Sequence, residues 1–241
     1  RGSERVRVRC CSFQSCPQVR DELEGFVCEG VPGIQRGRKV GGGRALPAVA
    51  IDKKYVFEGP DGEVALIELR DDTMASIKAI REGRFDLNGY TWFLTQAYHH
   101  VKHTVPLMMA CGGRLPERLE FVRKALVEYI EEEYGHHEWI LNDLAACGED
   151  KEAIRHGSPD TSIELMVAYL YDRINRGNPA AFFGMVQVLE GTSIELATPL
   201  GEAIQKQLGL PKEAFSYLYS HGALYQEHFE FFRNLMNEIT D

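Results

Sequence analysis

From Asp71 to its end the chain is cut by glycine, proline or asparagine at a few widely spaced places, and between the cuts apolar residues recur at three- and four-residue steps. That pattern disfavours a sheet and calls for long helices joined by short links. Asn88 is placed to cap a helix through Ala110 that stops at Cys111-Gly112-Gly113. Pro116 opens a second, stopping at Cys147-Gly148. Ser158-Pro159-Asp160 opens a third ending near Gly177, Asn178-Pro179 a fourth ending near Gly209, and Pro211 a last one reaching Ile239. Pro106, inside the first of these, predicts a kink that would open the bundle.

The stretch before Asp71 follows other rules. Residues 1–43 are rich in Arg, Gly and Cys without sustained periodicity and are expected to be irregular. The spacing of Cys11 and Cys16 fits no compact ligand pattern, so these read as incidental thiols. In residues 44–70, β-branched and aromatic runs flank Gly59-Pro60-Asp61-Gly62, the signature of a β-hairpin. This stretch resembles the opening of a thioredoxin-fold family of uncharacterised function. The resemblance ends at Leu69, so it is read as a remnant without redox activity. Three regions follow: 1–43 irregular, 44–70 hairpin, and 71–241 helical.

Charge narrows the partners. With 27 basic and 36 acidic residues and a net charge of −9, the chain lacks the basic face that phosphate contacts need, so no nucleic-acid partner is expected. No run is apolar enough to span a membrane, and the start lacks a signal-peptide pattern. A cytoplasmic protein without membrane contact, its six cysteines reduced, is the expectation.

Polar residues on apolar faces carry the chemistry. Glu133 and His136 stand three apart and share a face with Leu126, Tyr129 and Ile140, where both are costly unless paired, protonated or metal-bound. Glu132 and His137 compete with them, since His137 shares a face with Leu141 and Leu144. Glu190 follows Phe183 by seven and Val186 by four, and reads as a ligand or as half of a buried ion pair with an arginine. His221, Tyr225 and His228 line one stripe with Tyr217, Leu224, Phe232 and Leu235. Carboxylates and imidazoles from three helices suit non-haem iron or manganese. In Gln96-Ala97-Tyr98-His99-His100-Val101-Lys102-His103, the histidines are read as lining or flanking a cavity mouth, with a haem axial ligand as the rival reading.

Together these residues resemble the superfamily of haem oxygenase, thiaminase II, the cofactor-free pyrroloquinoline-quinone synthase and the haem-oxygenase-like iron oxidases. The resemblance covers about Asp71 to Asp241. It rests on the Tyr90–Gln96 run leading to Thr104-Val105-Pro106, on Glu133-Tyr134-Gly135-His136, on Leu189-Glu190, and on His221 with His228. It implies an all-α haem-oxygenase-like bundle of about seven helices, behind a poorly ordered or β-hairpin extension.

Similarity to the iron-oxidase branch implies metal ligation by Glu133, His136, a bridging Glu190, His221 and His228. One departure stands out: members that bind two irons often carry an acidic residue four positions after the first of those last histidines, and here that position is Tyr225. Glu227 or Glu132 would substitute, or a single metal would suffice. The implied activity is that of a non-haem iron oxidase or oxygenase, with one or two Fe2+ per chain (manganese as the alternative ion), acting with dioxygen on a small organic substrate. Gln96, His99, His103, Phe183, Tyr217 and Phe232 would line its cavity, and a homodimer is the partner the superfamily suggests. The rival readings are a metal-free enzyme of the thiaminase II or quinone-synthase kind and a non-catalytic ligand-binding member of the fold.

Overall fold

Valine alternates with arginine at Val6-Arg7-Val8-Arg9, a two-residue period that suits a strand. The structure, a computed structural model, describes residues 6–10, 54–58, 64–69 and 71–239, with side chains from 75 onward except at 195, 222–230 and 233. Its contacts divide it into two units, residues 1–82 and 83–241.

The first unit holds β1 (Val6–Cys10), β2 (Lys54–Glu58), β3 (Val64–Leu69) and helix α1 (Asp71–Arg81). β2 and β3 pair antiparallel, Tyr55 opposite Ile67, which gives the expected hairpin; the turn itself lies outside the described residues. β1 adds to the other side of β3 in parallel, with Val8 opposite Ile67. The expectation that residues 1–43 are irregular is corrected there: the valine alternation outweighs the flanking glycine and arginine. The unit boundary follows α1 rather than preceding it.

The second unit is a helical bundle. Its described helices are α2 (Leu87–Val101), α3 (Thr104–Arg114), α4 (Glu120–Glu133), α5 (His136–Ala146), the short α6 (Lys151–Arg155), α7 (Thr161–Arg176), α8 (Phe182–Leu208) and α9 (Ser216–Asn237). Seven of them run eleven residues or more, as expected. Asp160 caps α7, and Asn178 caps the 3-10 turn that leads into α8. Gly209 ends α8 in the left-handed conformation that a side chain would strain.

Three expectations are corrected. Asp86, not Asn88, caps α2, because its carboxylate takes the Gly89 N–H at 2.8 Å. The first long helix breaks at Lys102–His103 instead of kinking at Pro106; the proline falls in the first turn of α3, where its missing N–H costs nothing. The second long helix breaks at Tyr134–Gly135, with Gly135 at φ +94°.

α8 packs chiefly on α9, α2 on α5, and α3 on α4, while α5 also meets α9. Tyr129, Phe182, Phe183, Leu126, Leu107 and Phe232 are buried in the core they enclose, each worth about 2 kcal/mol of apolar burial. No helix among the described residues is long and apolar enough to cross a membrane.

Candidate metal centre

Glu133 is the last residue of α4 and His136 the first of α5. The three-residue spacing read from the sequence therefore acts across a turn rather than along one helix face. Gly135 takes the left-handed conformation in the break between the two helices, and across it the His136 imidazole donates from Nδ1 to Glu133 Oε2 at 3.0 Å. Both side chains are buried. Trp139, three residues into α5, stacks on the His136 ring at 4.0 Å between centroids.

α9 brings His221 against this pair, its ring centroid 5.4 Å from that of His136. The His221 Nδ1–H donates to the Tyr217 carbonyl at 2.7 Å, one turn back, and the Tyr217 ring sits 4.4 Å away. With Nδ1 occupied, Nε2 presents its lone pair, the arrangement that orients metal-binding histidines in general. One ligand atom from each of Glu133, His136 and His221 lies within 4.8 Å of the others, and all three residues are buried.

Glu190 adds a second buried carboxylate, from α8. Its Oε2 has no hydrogen-bond partner, and no arginine or lysine answers its charge among the described residues. The alternative reading, an ion pair with an arginine, finds no partner among the described residues; the side chain of Arg233 lies outside them. Burial, reinforced by the charges of Glu133 and Glu132, pushes its carboxyl up to about 8. Tyr129, buried beside these acids, is raised far above the phenol range, chiefly by burial.

Glu190, with its unanswered oxygen, and the buried carboxylate and imidazoles of Glu133, His136 and His221 make a donor set that suits a divalent ion. Mixed carboxylate and imidazole donors suit iron or manganese more than a thiolate-seeking metal. The residues present thus fit a non-haem metal.

The other sequence candidates divide. His137 turns another way, toward Glu138 (3.4 Å) and the Tyr98 ring, because neighbouring positions of α5 point about 100° apart. Glu132 is exposed, outside the buried cluster. Gln96 is buried but accepts the Asp160 N–H at 2.8 Å, tying α2 to the start of α7. Phe183 and Phe232 belong to the main core and face one another at 6.1 Å. His99 is buried against Lys102, and His103 meets Tyr171 of α7. The side chains of Tyr225, Glu227 and His228 lie outside the described residues, although α9 carries all three.

Trp139 and Asp143 were missed from the sequence. Each had a signal, at three and seven residues from His136 along the same helix. His100 is a third neighbour: its Nδ1 lies 3.3 Å from the Gln96 carbonyl, and burial, with His221 and His103 adding to it, pushes it down to about 4.

The family described as iron-containing redox enzyme matches residues 91–241. A crystal structure of a domain of unknown function with a haem-oxygenase-like fold, from Shewanella denitrificans, is similar at 25% identity and a TM-score of 0.62, over 68% of this chain and 71% of that one. No curated protein matches the chain.

Proposed function

This chain belongs to the iron-containing redox enzyme family, with a haem-oxygenase-like fold, and we propose that it is a non-haem iron oxidase or oxygenase that uses dioxygen on a small organic substrate. The observation that carries this reading is Glu190, a buried carboxylate with an unanswered oxygen that interacts electrostatically with Glu133 of the Glu133–His136–His221 triad. A carboxylate is left in that condition when its partner is a metal ion rather than a protein donor.

Glu133, His136, Glu190 and His221 would hold the first iron, and His228, seven residues after His221 in the sequence, is our candidate for a second. Bound iron supplies the binding and reduction of dioxygen. The protein's own residues do the rest. Two carboxylates balance the charge of a divalent ion in a site that water does not reach freely. The Tyr217 carbonyl fixes the His221 ring, and the Trp139 face fixes the His136 ring, so neither imidazole must reorganise when metal enters. Tyr129 and Tyr217, both raised far above the ordinary phenol range by burial, stay protonated and available as hydrogen-bond donors.

A thiaminase-like reading needs a thiolate. The Cys111 thiol donates to the Pro179 carbonyl at 3.3 Å and is pushed up to about 12 by burial, and Cys147 is pushed up to about 11. Neither is a nucleophile at neutral pH.

The test is anaerobic ferrous titration of the full chain, followed by rapid mixing with dioxygen, comparing wild type with Glu190→Ala, His221→Ala and His228→Ala. Specific iron uptake and an oxygen-dependent absorbance change, both lost in Glu190→Ala and His221→Ala, support the reading. Two irons per chain, falling to one in His228→Ala, assign the second site. Absence of specific uptake by the wild type overturns the metal hypothesis.

A further inference from the structure

Among the described residues, Trp139 is the one aromatic side chain in ring contact with both His136 and His221. Its ring stacks on His136 at 4.0 Å and 28°, and meets His221 edge-on at 6.3 Å and 80°. Both histidines are buried, whereas Trp139 is half-buried, so one side chain spans from the metal centre to water. Its indole N–H has no hydrogen-bond partner among the described residues.

Holding an imidazole in place asks only for a flat apolar wall, which a phenyl ring supplies as well. An indole adds a second property, because it can give up one electron. The phenols beside the centre are worse placed to do so. A phenol is oxidised easily only when its proton can leave, and Tyr129 and Tyr217 are both raised far above the ordinary range, chiefly by burial. Trp139 meets the ligand histidines on one side and can release its N–H proton to water on the other. We propose that Trp139 is a one-electron relay that discharges the metal centre to the surface when the centre has been oxidised with no substrate bound.

In that step the indole loses one electron, the oxidised centre gains it, and the N–H proton passes to water. A soluble one-electron donor such as ascorbate or a thiol then returns the electron, and the ring nitrogen takes a proton back from water. The ligand histidines and Tyr217 are thereby spared from oxidation in a site built to exclude side reactions. The relay rests on the oxidase reading for its oxidant.

The experiment loads the full chain with ferrous iron, exposes it to repeated cycles of dioxygen without substrate, and maps oxidised residues by peptide mass spectrometry. Catalase is present to remove free peroxide. Trp92 on α2, the other of the two tryptophans, is also half-buried but has no ring contact with the centre, so it reports diffusing oxidants. Wild type, Trp139→Phe and metal-free protein are compared, and the iron retained after each cycle is measured. Near-ultraviolet circular dichroism and a first ferrous titration check that Trp139→Phe is folded and loaded; if it does not load, the wild-type map decides alone. The expected result is oxidation of the Trp139 indole several-fold above that of Trp92, dependent on iron and suppressed by ascorbate. In Trp139→Phe, oxidation should move to His136, His221 or Tyr217, and iron should be lost in fewer cycles. A purely positioning role moves neither readout in this way. Equal oxidation of the two tryptophans in wild type, or none at Trp139 while iron is taken up and oxygen is consumed, overturns the relay and leaves the oxidase reading standing. Wild-type protein that takes up no iron overturns both.

Discussion

The Asp143 carboxylate, fully buried on α5, accepts the backbone N–H of Ser216 at 3.1 Å and also the Ser216 hydroxyl, while its second oxygen takes the Tyr217 N–H at 2.8 Å. A side chain of one helix thus closes the N-terminus of another, and α9 has no cap of its own. The same contact lines up the metal centre. His136 lies seven residues before Asp143 on α5, and Tyr217, whose N–H Asp143 accepts, offers its carbonyl to His221. Asp143→Ala leaves two helix N–H groups buried without acceptors and is expected to cost about 2–4 kcal/mol by urea unfolding. Ferrous affinity should fall with it. Asp143→Asn, which keeps one acceptor oxygen, should lose about half as much, and an unchanged denaturation midpoint in Asp143→Ala would show that the α9 terminus finds another partner.

Asp143 also makes stability depend on pH. Burial outweighs its three hydrogen bonds and pushes the carboxyl from 3.8 up to about 6. The folded state therefore binds the proton more tightly than the unfolded chain. This contribution is fully present below about pH 3.8 and is lost as pH rises through about 6, with a span of roughly 3 kcal/mol. In unfolding experiments the stability difference between wild type and Asp143→Asn should decline from pH 4 to 6 and stay flat above. A difference that instead rises over that interval would mean that the hydrogen bonds dominate.

Helix ends with their own chemistry were legible in the sequence. Asp160, Asn178 and Gly209 each mark an end within a residue or two because a single side chain or a left-handed glycine decides the local backbone. The break at Lys102–His103 was not, since no glycine marks it and proline follows only three residues later; the contact between His103 and Tyr171 joins residues 68 apart. At the metal centre the apolar neighbours placed Glu133, His136 and Glu190 inward. Periodicity could not separate His136 from His137, because it assumed a continuous helix where the chain breaks at Tyr134–Gly135. Asp143 escaped for a related reason: its partners are backbone groups 73 and 74 residues away, and backbone groups leave no pattern in a sequence.

Gly135 gives a direct test of that turn. At φ +94° a Cβ would meet no atom within 4 Å, so space does not require glycine there and backbone strain does. Gly135→Ala should destabilise by about 1–2 kcal/mol and move Glu133 away from His136. Calorimetric melting measures the first effect and ferrous titration the second. A variant with wild-type melting and wild-type iron affinity would show that the turn tolerates a side chain.

Thiol reactivity separates the metal reading from its nucleophilic rival. Cys111 is buried, hydrogen-bonded to the Pro179 carbonyl and held at about 12, whereas Cys147 is half-buried and at about 11. Alkylation by iodoacetamide at pH 8, followed by peptide mass spectrometry, should modify Cys147 slowly and Cys111 slower still. Fast labelling of Cys111 in the folded protein would reopen the case for a catalytic thiol.

Glu190 should behave differently with and without metal. In the metal-free protein its carboxyl is buried with an unanswered oxygen, beside the charges of Glu133 and Glu132. Glu190→Gln fills the same volume and removes a group that is costly to bury ionised, so the metal-free variant should unfold at the same urea concentration as wild type or a higher one. The amide cannot replace the carboxylate opposite a divalent cation, and ferrous affinity is expected to fall by about 100-fold. Opposite movement of the two quantities is what a residue kept for ligation predicts. If Glu190→Gln loses stability by several kcal/mol without metal and binds iron as wild type does, the carboxylate is structural, and the centre must be rebuilt from Glu133, His136 and His221 alone.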